Sequence, residues 1–340
     1  MRILTRNSLI REEQKSDNWL EILAASVSDP KTLLRILGLP LAGFEQHIEA
    51  RRLFPLRVPM PFIEKMEPNN PQDPLFLQAM SMSQEFISQP GFSKDPLQEQ
   101  QNAAPNILHK YHNRLLLMVK GGCAINCRYC FRRHFPYGEN KGGKTNWLQA
   151  LNYIKARPQI EEVILSGGDP LMAKDHELAW LIERLSDIPH LSRLRIHTRL
   201  PVVIPQRITE ELCHILAQTP LQTLLVTHIN HANEIDLDLV EAMHKLKAAG
   251  VTLLNQSVLL KNINDNAETL KALNDKLFRS GILPYYLHLL DKVEGASHFY
   301  IDDEKALAIY RRLQAISSGY LVPKLAREIA FEPNKTLYGA

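Results

Sequence analysis

The stretch Leu115-Leu116-Leu117-Met118-Val119-Lys120-Gly121-Gly122-Cys123-Ala124-Ile125-Asn126-Cys127-Arg128-Tyr129-Cys130 decides how the chain is read. Its apolar first third is long enough for a buried strand, and it turns abruptly into glycines and cysteines. The same change recurs downstream. Apolar runs at 163–165, 194–196, 223–227 and 251–254 lead into Ser166-Gly167-Gly168-Asp169-Pro170, His197-Thr198-Arg199, His228-Ile229-Asn230-His231 and Asn255-Gln256-Ser257. A last run, 283–289, ends in the polar stretch from His288 to Asp291. Amphipathic segments at 175–185, 210–217, 236–248, 267–278 and 303–316 lie between or after these runs. Strands alternating with helices imply an α/β fold with a parallel sheet. Six such strands fit a partial (β/α)6 TIM-like barrel, with a doubly wound open sheet as the structural rival. Both place active groups at the C-terminal strand ends, so the polar clusters predict one shared mouth.

Working outward, the first 105 residues have a different texture. Nine of the chain's 21 prolines fall between residues 55 and 105, which excludes a long helix or a central strand there. Residues 17–27 and 30–37 have helical periodicity, with Asp17 and Asp29 placed as N-caps and Pro30 at a first helical position. Phe54, Leu56, Phe62, Phe76 and Phe86 are too apolar for a disordered tail. The expected division is a helical and irregular extension over 1–105, the barrel over 106–320 and a C-terminal segment over 321–340.

Composition narrows the function classes. The 340 residues are 45% hydrophobic and 23% charged, which is ordinary globular usage. Forty basic against 37 acidic residues give a net charge of +3, too mild to point to nucleic acid. No apolar run is long enough for a membrane span and no apolar leader opens the chain, so a cytoplasmic protein is expected. Three of the four cysteines, Cys123, Cys127 and Cys130, crowd into one loop, and Cys213 stands apart. Clustered thiols in such a chain read as a metal or redox site rather than a disulfide framework. Three thiolates can hold three irons of a four-iron cluster and leave the fourth open. Spacing alone also admits zinc, for which His134 or Cys213 would have to supply a fourth ligand.

The spacing C-x3-C-x2-C, with aromatic Tyr129 before the last cysteine, resembles the radical S-adenosylmethionine superfamily. The resemblance implies a [4Fe–4S] cluster on Cys123, Cys127 and Cys130 whose open iron binds S-adenosylmethionine. Ser166, Gly167, Gly168 and Asp169 stand where that superfamily contacts the methionyl amine, and the resemblance adds His228 and Gln256 around the same ligand. Asp169 replaces a commoner Glu.

Further stretches are similar to the lysine 2,3-aminomutase family: Cys130-Phe131-Arg132-Arg133, Gly167-Gly168-Asp169-Pro170-Leu171, Arg199-Leu200-Pro201-Val202-Val203-Ile204-Pro205-Gln206-Arg207-Ile208, Thr227-His228-Ile229-Asn230-His231-Ala232-Asn233-Glu234, Asn255-Gln256-Ser257-Val258-Leu259-Leu260 and Pro284-Tyr285-Tyr286. They occur in unbroken order from about residue 105 to the end. The resemblance implies pyridoxal phosphate on Lys335, in the dipeptide Lys335-Thr336, with Lys324 as competitor. The glycine-rich run that precedes this lysine in the family is replaced by Phe331-Glu332-Pro333-Asn334. A lysine amine can form a Schiff base with the cofactor aldehyde and be displaced by the substrate amine. By position, Lys110, Tyr111 and Arg114 would lie near the cofactor phosphate. Arg132 would grip the substrate α-carboxylate, and Asp291 and Glu328 would read its side-chain ammonium.

The family reading implies isomerisation of L-α-lysine to (R)-β-lysine. The short tail, with His134-Phe135-Pro136-Tyr137 and Leu325-Ala326-Arg327-Glu328, resembles the branch that makes β-lysine for elongation factor P. The implied partners are lysine, an electron donor, and elongation factor P with its lysine ligase; neither nucleic acid nor membrane is expected, and a homo-oligomer is compatible. Two other readings stand beside this one. A radical aminomutase acting on glutamate would want a cation where Asp291 stands. A non-catalytic iron–sulfur protein would leave Lys335 and the polar strand ends without a task.

Overall fold

The computed structural model describes residues 18–100, 104, 106–137 and 142–339. Nine strands form one sheet in chain order. They are β1 (Ile107–Tyr111), β2 (Arg114–Lys120), β3 (Glu162–Gly167), β4 (Arg193–Thr198), β5 (Gln222–His228), β6 (Thr252–Leu259), β7 (Leu283–Leu289), β8 (Lys324–Arg327) and β9 (Thr336–Leu337). Strands β2 to β8 pair in parallel, while β1 and β9 run antiparallel to their neighbours. Six helices follow β2 to β7 in turn: Lys144–Lys155, Asp175–Ser186, Glu210–Gln218, Leu237–Ala248, Ala267–Arg279 and Asp303–Ile316. This is the partial (β/α)6 barrel expected from the sequence.

Because alternate strand residues point to opposite faces, each strand builds two surfaces at once. Val163 and Leu165 of β3, Leu194 and Ile196 of β4 and Leu225 of β5 lie in the core beneath the helices. Their neighbours Ile164, Ser166, Arg195, His197 and His228 line an interior cavity instead. Most of the outer helices start at a side-chain cap. Thr209, Asp236, Asn266 and Asp302 each accept from the backbone N–H three residues on, at 2.8 to 3.0 Å.

The sheet is not closed by backbone pairing. A side-chain contact spans the gap from the edge strand β1 to the connection between β8 and β9, where the Tyr111 hydroxyl donates to Glu328 at 2.5 Å. Lys110 Nζ lies 3.8 Å from the same carboxylate.

The proline-rich stretch resolves into short helices, Met60–Ile63 and Pro74–Ala79, each with a proline in its first turn, where the missing N–H costs nothing. Asp29 caps the helix Pro30–Ile36 as expected. Asp17 lies outside the described residues, and Asn18 caps Trp19–Ala24. Trp19, Phe62 and Phe76 share one apolar core with Leu165 and Leu225 of the barrel. Polar ties cross the same boundary. Glu85 accepts from Arg128 at 2.5 Å and Arg133 at 2.6 Å, with all three side chains buried. Lys65 Nζ reaches the carbonyls of Val202 and Glu234, both at 3.0 Å. Among the described residues, no helix is long and apolar enough to cross a membrane.

Candidate active site

The cavity at the C-terminal strand ends has a volume of about 540 Å³. Cys123, Cys127 and Cys130 all line it, on the loop that follows β2. Burial pushes the Cys130 thiol up to about 11, and burial together with the neighbouring thiols raises Cys123. Cys123 and Cys130, neighbouring thiols that resist ionising, suit a cationic centre, which stabilises thiolates. Cys213 sits on the outer helix Glu210–Gln218, and His134 Nε2 lies 3.2 Å from the Glu294 carbonyl. Neither supplies the fourth ligand that zinc requires. Among the described residues, no three His, Cys, Asp or Glu side chains converge as a single ion needs. A cluster distributes its three thiolates over separate irons, so the donor set fits a cluster.

Glycine is required after β3 for a reason that the sequence does not show. A Cβ on Gly168 would strike the backbone of Gly122, and Gly167 has φ +120°. The backbone of this turn is bonded to the cysteine loop, Gly168 N to Lys120 O at 2.8 Å and Asp169 N to Gly122 O at 2.9 Å. The glycines therefore lock two loops together, and both still line the cavity. The Asp169 carboxylate is occupied by Thr198 Oγ1 at 2.7 Å and the backbone N–H groups of Leu171, Arg199 and Leu200 at 2.8 to 3.0 Å. That uses its roughly four lone-pair positions, so Asp169 joins the ends of β3 and β4.

His228 stacks on Tyr129 at 5.5 Å with an interplanar angle of 16°, and its Nε2 lies 2.9 Å from the tyrosine hydroxyl. Burial, reinforced by Arg199, lowers this imidazole to about 3, so it is neutral. Gln256 lines the cavity from β6.

Charged groups gather on the Lys335 side. Lys335 Nζ pairs with Glu328 and lies 5.9 Å from the Tyr286 ring centroid. Lys324 is exposed on β8 and does not line the cavity. Lys110, Tyr111 and Arg114 do, with the Arg114 guanidinium 4.0 Å from the Tyr111 ring. Burial works to raise the Glu328 carboxyl, but Lys335 and Tyr111 outweigh it and hold it low. Arg132 Nε donates to Glu99 at 2.7 Å, and Lys110 pairs with the other oxygen of Glu99 at 2.8 Å. Burial alone would raise Glu99, yet Arg132 and Lys110 bring it to about 2. Asp291 is the contrasting acid. Among the described residues its carboxylate has no hydrogen bond, and burial, opposed by Lys335, pushes it up to about 7.

The fold thus brings together Cys123, Cys127, Cys130, Lys110, Tyr111, Arg114, Arg132, Ser166, Gly167, Gly168, Asp169, His228, Gln256, Asp291, Glu328 and Lys335 around one cavity. Sequence reading did not anticipate Glu99 or Gln78, and it placed Glu234 in a family-like stretch without its role behind Arg199.

Residues 117–273 match the Radical SAM superfamily model. Across 99% of both chains, the sequence is 69% identical to the L-lysine 2,3-aminomutase of Haemophilus influenzae. The chain belongs to the L-lysine 2,3-aminomutase family. It is 58% identical to the Escherichia coli enzyme of that name, over 98% of this chain and 96% of that one. The Clostridium subterminale enzyme is 36% identical over 84% of this chain and 69% of its own length. This aminomutase is an isomerase whose family cofactors are a [4Fe–4S] cluster, S-adenosylmethionine and pyridoxal phosphate. Its thiol loop fits the first and its cavity lysine fits the last.

Proposed function

We propose that the chain isomerises L-α-lysine to (R)-β-lysine by 1,2-migration of the amino group. The observation that carries the reading is the unpaired carboxyl of Asp291 in a cavity whose other acids are taken, Glu99 and Glu328 by cations and Asp169 by Thr198 and backbone N–H groups. An ammonium is the ligand group that such an acid lacks. A glutamate side chain would instead put a second negative charge beside it.

Cys123, Cys127 and Cys130 would hold the cluster, and Lys335 would bind pyridoxal phosphate with Lys110, Tyr111 and Arg114 toward its phosphate. S-adenosylmethionine would meet the backbone of Ser166, Gly167 and Gly168, with Asp169 behind them and His228 and Gln256 nearby. When bound, these groups supply a hydrogen-abstracting radical and an aldehyde that carries the migrating nitrogen.

The chain's own residues bind and orient. Arg132 keeps Nε on Glu99 with Nη1 3.5 Å from Ser166 Oγ, and its terminal nitrogens would turn to the substrate carboxylate, a planar match. Asp291 takes the side-chain ammonium, which favours its ionised form. Glu328, which pairs with Lys335 in the cofactor-free chain, would provide a second acid for the substrate. Apolar Leu116, Val258 and Leu290 line the remaining wall and limit water near reactive carbon.

We further assign residues 1–105 as an extension, 106–320 as the barrel and 321–340 as the segment that carries Lys335. The likeness of His134–Tyr137 and Leu325–Glu328 to the elongation factor P branch supports a cytoplasmic role. There β-lysine would pass to a ligase that attaches it to that factor. A low-potential electron donor is required, and a homo-oligomer is compatible. The test is anaerobic reconstitution with S-adenosylmethionine, dithionite and free lysine, followed by chiral product analysis. Recovery of β-glutamate from glutamate, with lysine unchanged, would overturn the reading.

A further inference from the structure

Arg199 directly follows β4 and has no role in the reading above, yet its guanidinium is buried beside the cysteine loop. One terminal nitrogen, Nη1, donates to Cys127 Sγ at 2.7 Å and also to the Tyr129 hydroxyl. The other, Nη2, donates to Gln78 Oε1 at 2.9 Å and Glu234 Oε2 at 2.9 Å. Both acceptors are themselves fixed. Gln78, on the helix Pro74–Ala79 outside the barrel, donates to Glu234 at 3.2 Å and accepts from Asn230 at 3.0 Å. Glu234 Oε1 accepts the backbone N–H groups of Asn230 and His231 at 2.8 and 3.0 Å. The guanidinium is therefore clamped along one edge and aimed at a sulfur along the other.

Hydrogen bonds to the sulfurs and net charge set iron–sulfur potentials. A reduced cluster carries one more negative charge than an oxidised one. A cation donating to a ligand sulfur favours the reduced form, and Glu234, across the guanidinium, offsets this less because it is farther away. We propose that Arg199 is a positioning residue of the cluster. It fixes Cys127 and raises the reduction potential, and Gln78 of the extension keeps it aimed. The step affected is uptake of one electron from a low-potential one-electron donor, with no bond made or broken. The inference rests on the cluster assignment above and is independent of lysine as substrate.

The test is a redox titration of the anaerobically reconstituted full chain with dithionite, read by electron paramagnetic resonance, with iron measured per chain. In Arg199→Gln the equilibrium constant for reduction should fall about tenfold, which for a one-electron couple is about 59 mV. Arg199→Lys, which keeps the charge, should fall less. Gln78→Met should lie between wild type and Arg199→Gln. Full iron with an unmoved potential in Arg199→Gln would overturn the proposal. If Arg199→Gln loses its iron, Gln78→Met decides on the same criterion. Loss of iron from both variants would make the pair an anchor of the loop and also overturn it. Iron-free wild type would instead sink the cluster assignment.

Discussion

Asp291 and Lys335 carry opposite charges into one cavity, and each makes a different demand on the substrate. A carboxylate meeting an ammonium in a partly dry site contributes about 1.5–3 kcal/mol. Asp291→Asn should therefore weaken lysine use by roughly 10- to 150-fold. Norleucine, which lacks the ammonium, should be a poor substrate for the wild type and lose little more in the variant. Equal losses for both compounds would place Asp291 in the fold or at a cofactor instead. Its pH signature has a definite sign. With the carboxyl raised to about 7, the free enzyme holds a neutral acid below that pH and an anion above it. The kcat/KM for lysine should thus climb as pH rises through about 7, and the climb should vanish in Asp291→Asn. Lys335, Glu99, Glu328 and Lys110 face the same group, and Asp291→Asn leaves all four side chains in place. For Lys335→Ala, the expected result is loss of the visible absorbance of lysine-bound pyridoxal phosphate with iron retained. Lys324→Ala should keep both, and the reverse pattern would move the cofactor to β8.

At the scale of elements, the alternation of apolar run and polar cluster was enough to place β2 to β7, because buried parallel strands are continuous in sequence and their polar ends follow at once. Helix ends were legible where a side chain caps them, as at Asp29, and the 303–316 segment matches its helix. The helix Lys144–Lys155 was not. Its N-cap is Gly143, which offers no side-chain acceptor, and its apolar stripe of Trp147, Ala150, Leu151 and Ile154 is diluted by polar neighbours. Strands β1, β8 and β9 were missed because they are short and rich in polar residues, and β1 and β9 sit at the sheet edges. Glu99 was invisible for a different reason. Its partner Arg132 lies 33 residues on, and only the tertiary fold makes that pairing. The turn after β3 yields a sharp expectation. Gly168→Ala sets a methyl group against fixed backbone rather than a yielding side chain, and overpacking of this kind costs about 1–3 kcal/mol. Lower iron content and a reduced Tm should appear together. Full iron at an unchanged Tm would show that the two loops separate easily.

The whole molecule is tied by a shared interior rather than by a linker. Glu85 outside the barrel neutralises two guanidiniums of the cysteine loop, Arg128 and Arg133, and all three side chains are buried. Removing that acid in Glu85→Gln leaves two buried cations without a counter-charge, a loss of about 3–5 kcal/mol. Urea unfolding should show a lower midpoint, and fluorescence and circular dichroism should still report one coincident transition. Two separated transitions would mean that the extension folds on its own. The side-chain contact between Tyr111 and Glu328 has a consequence on the same scale. A cylinder sealed by a full ladder of peptide hydrogen bonds can part only by tearing its backbone. Here the first strand is joined to the turn between the last two by a phenol on a carboxylate, a fastening that a proton or one point mutation can remove while the backbone ladder stays as it is.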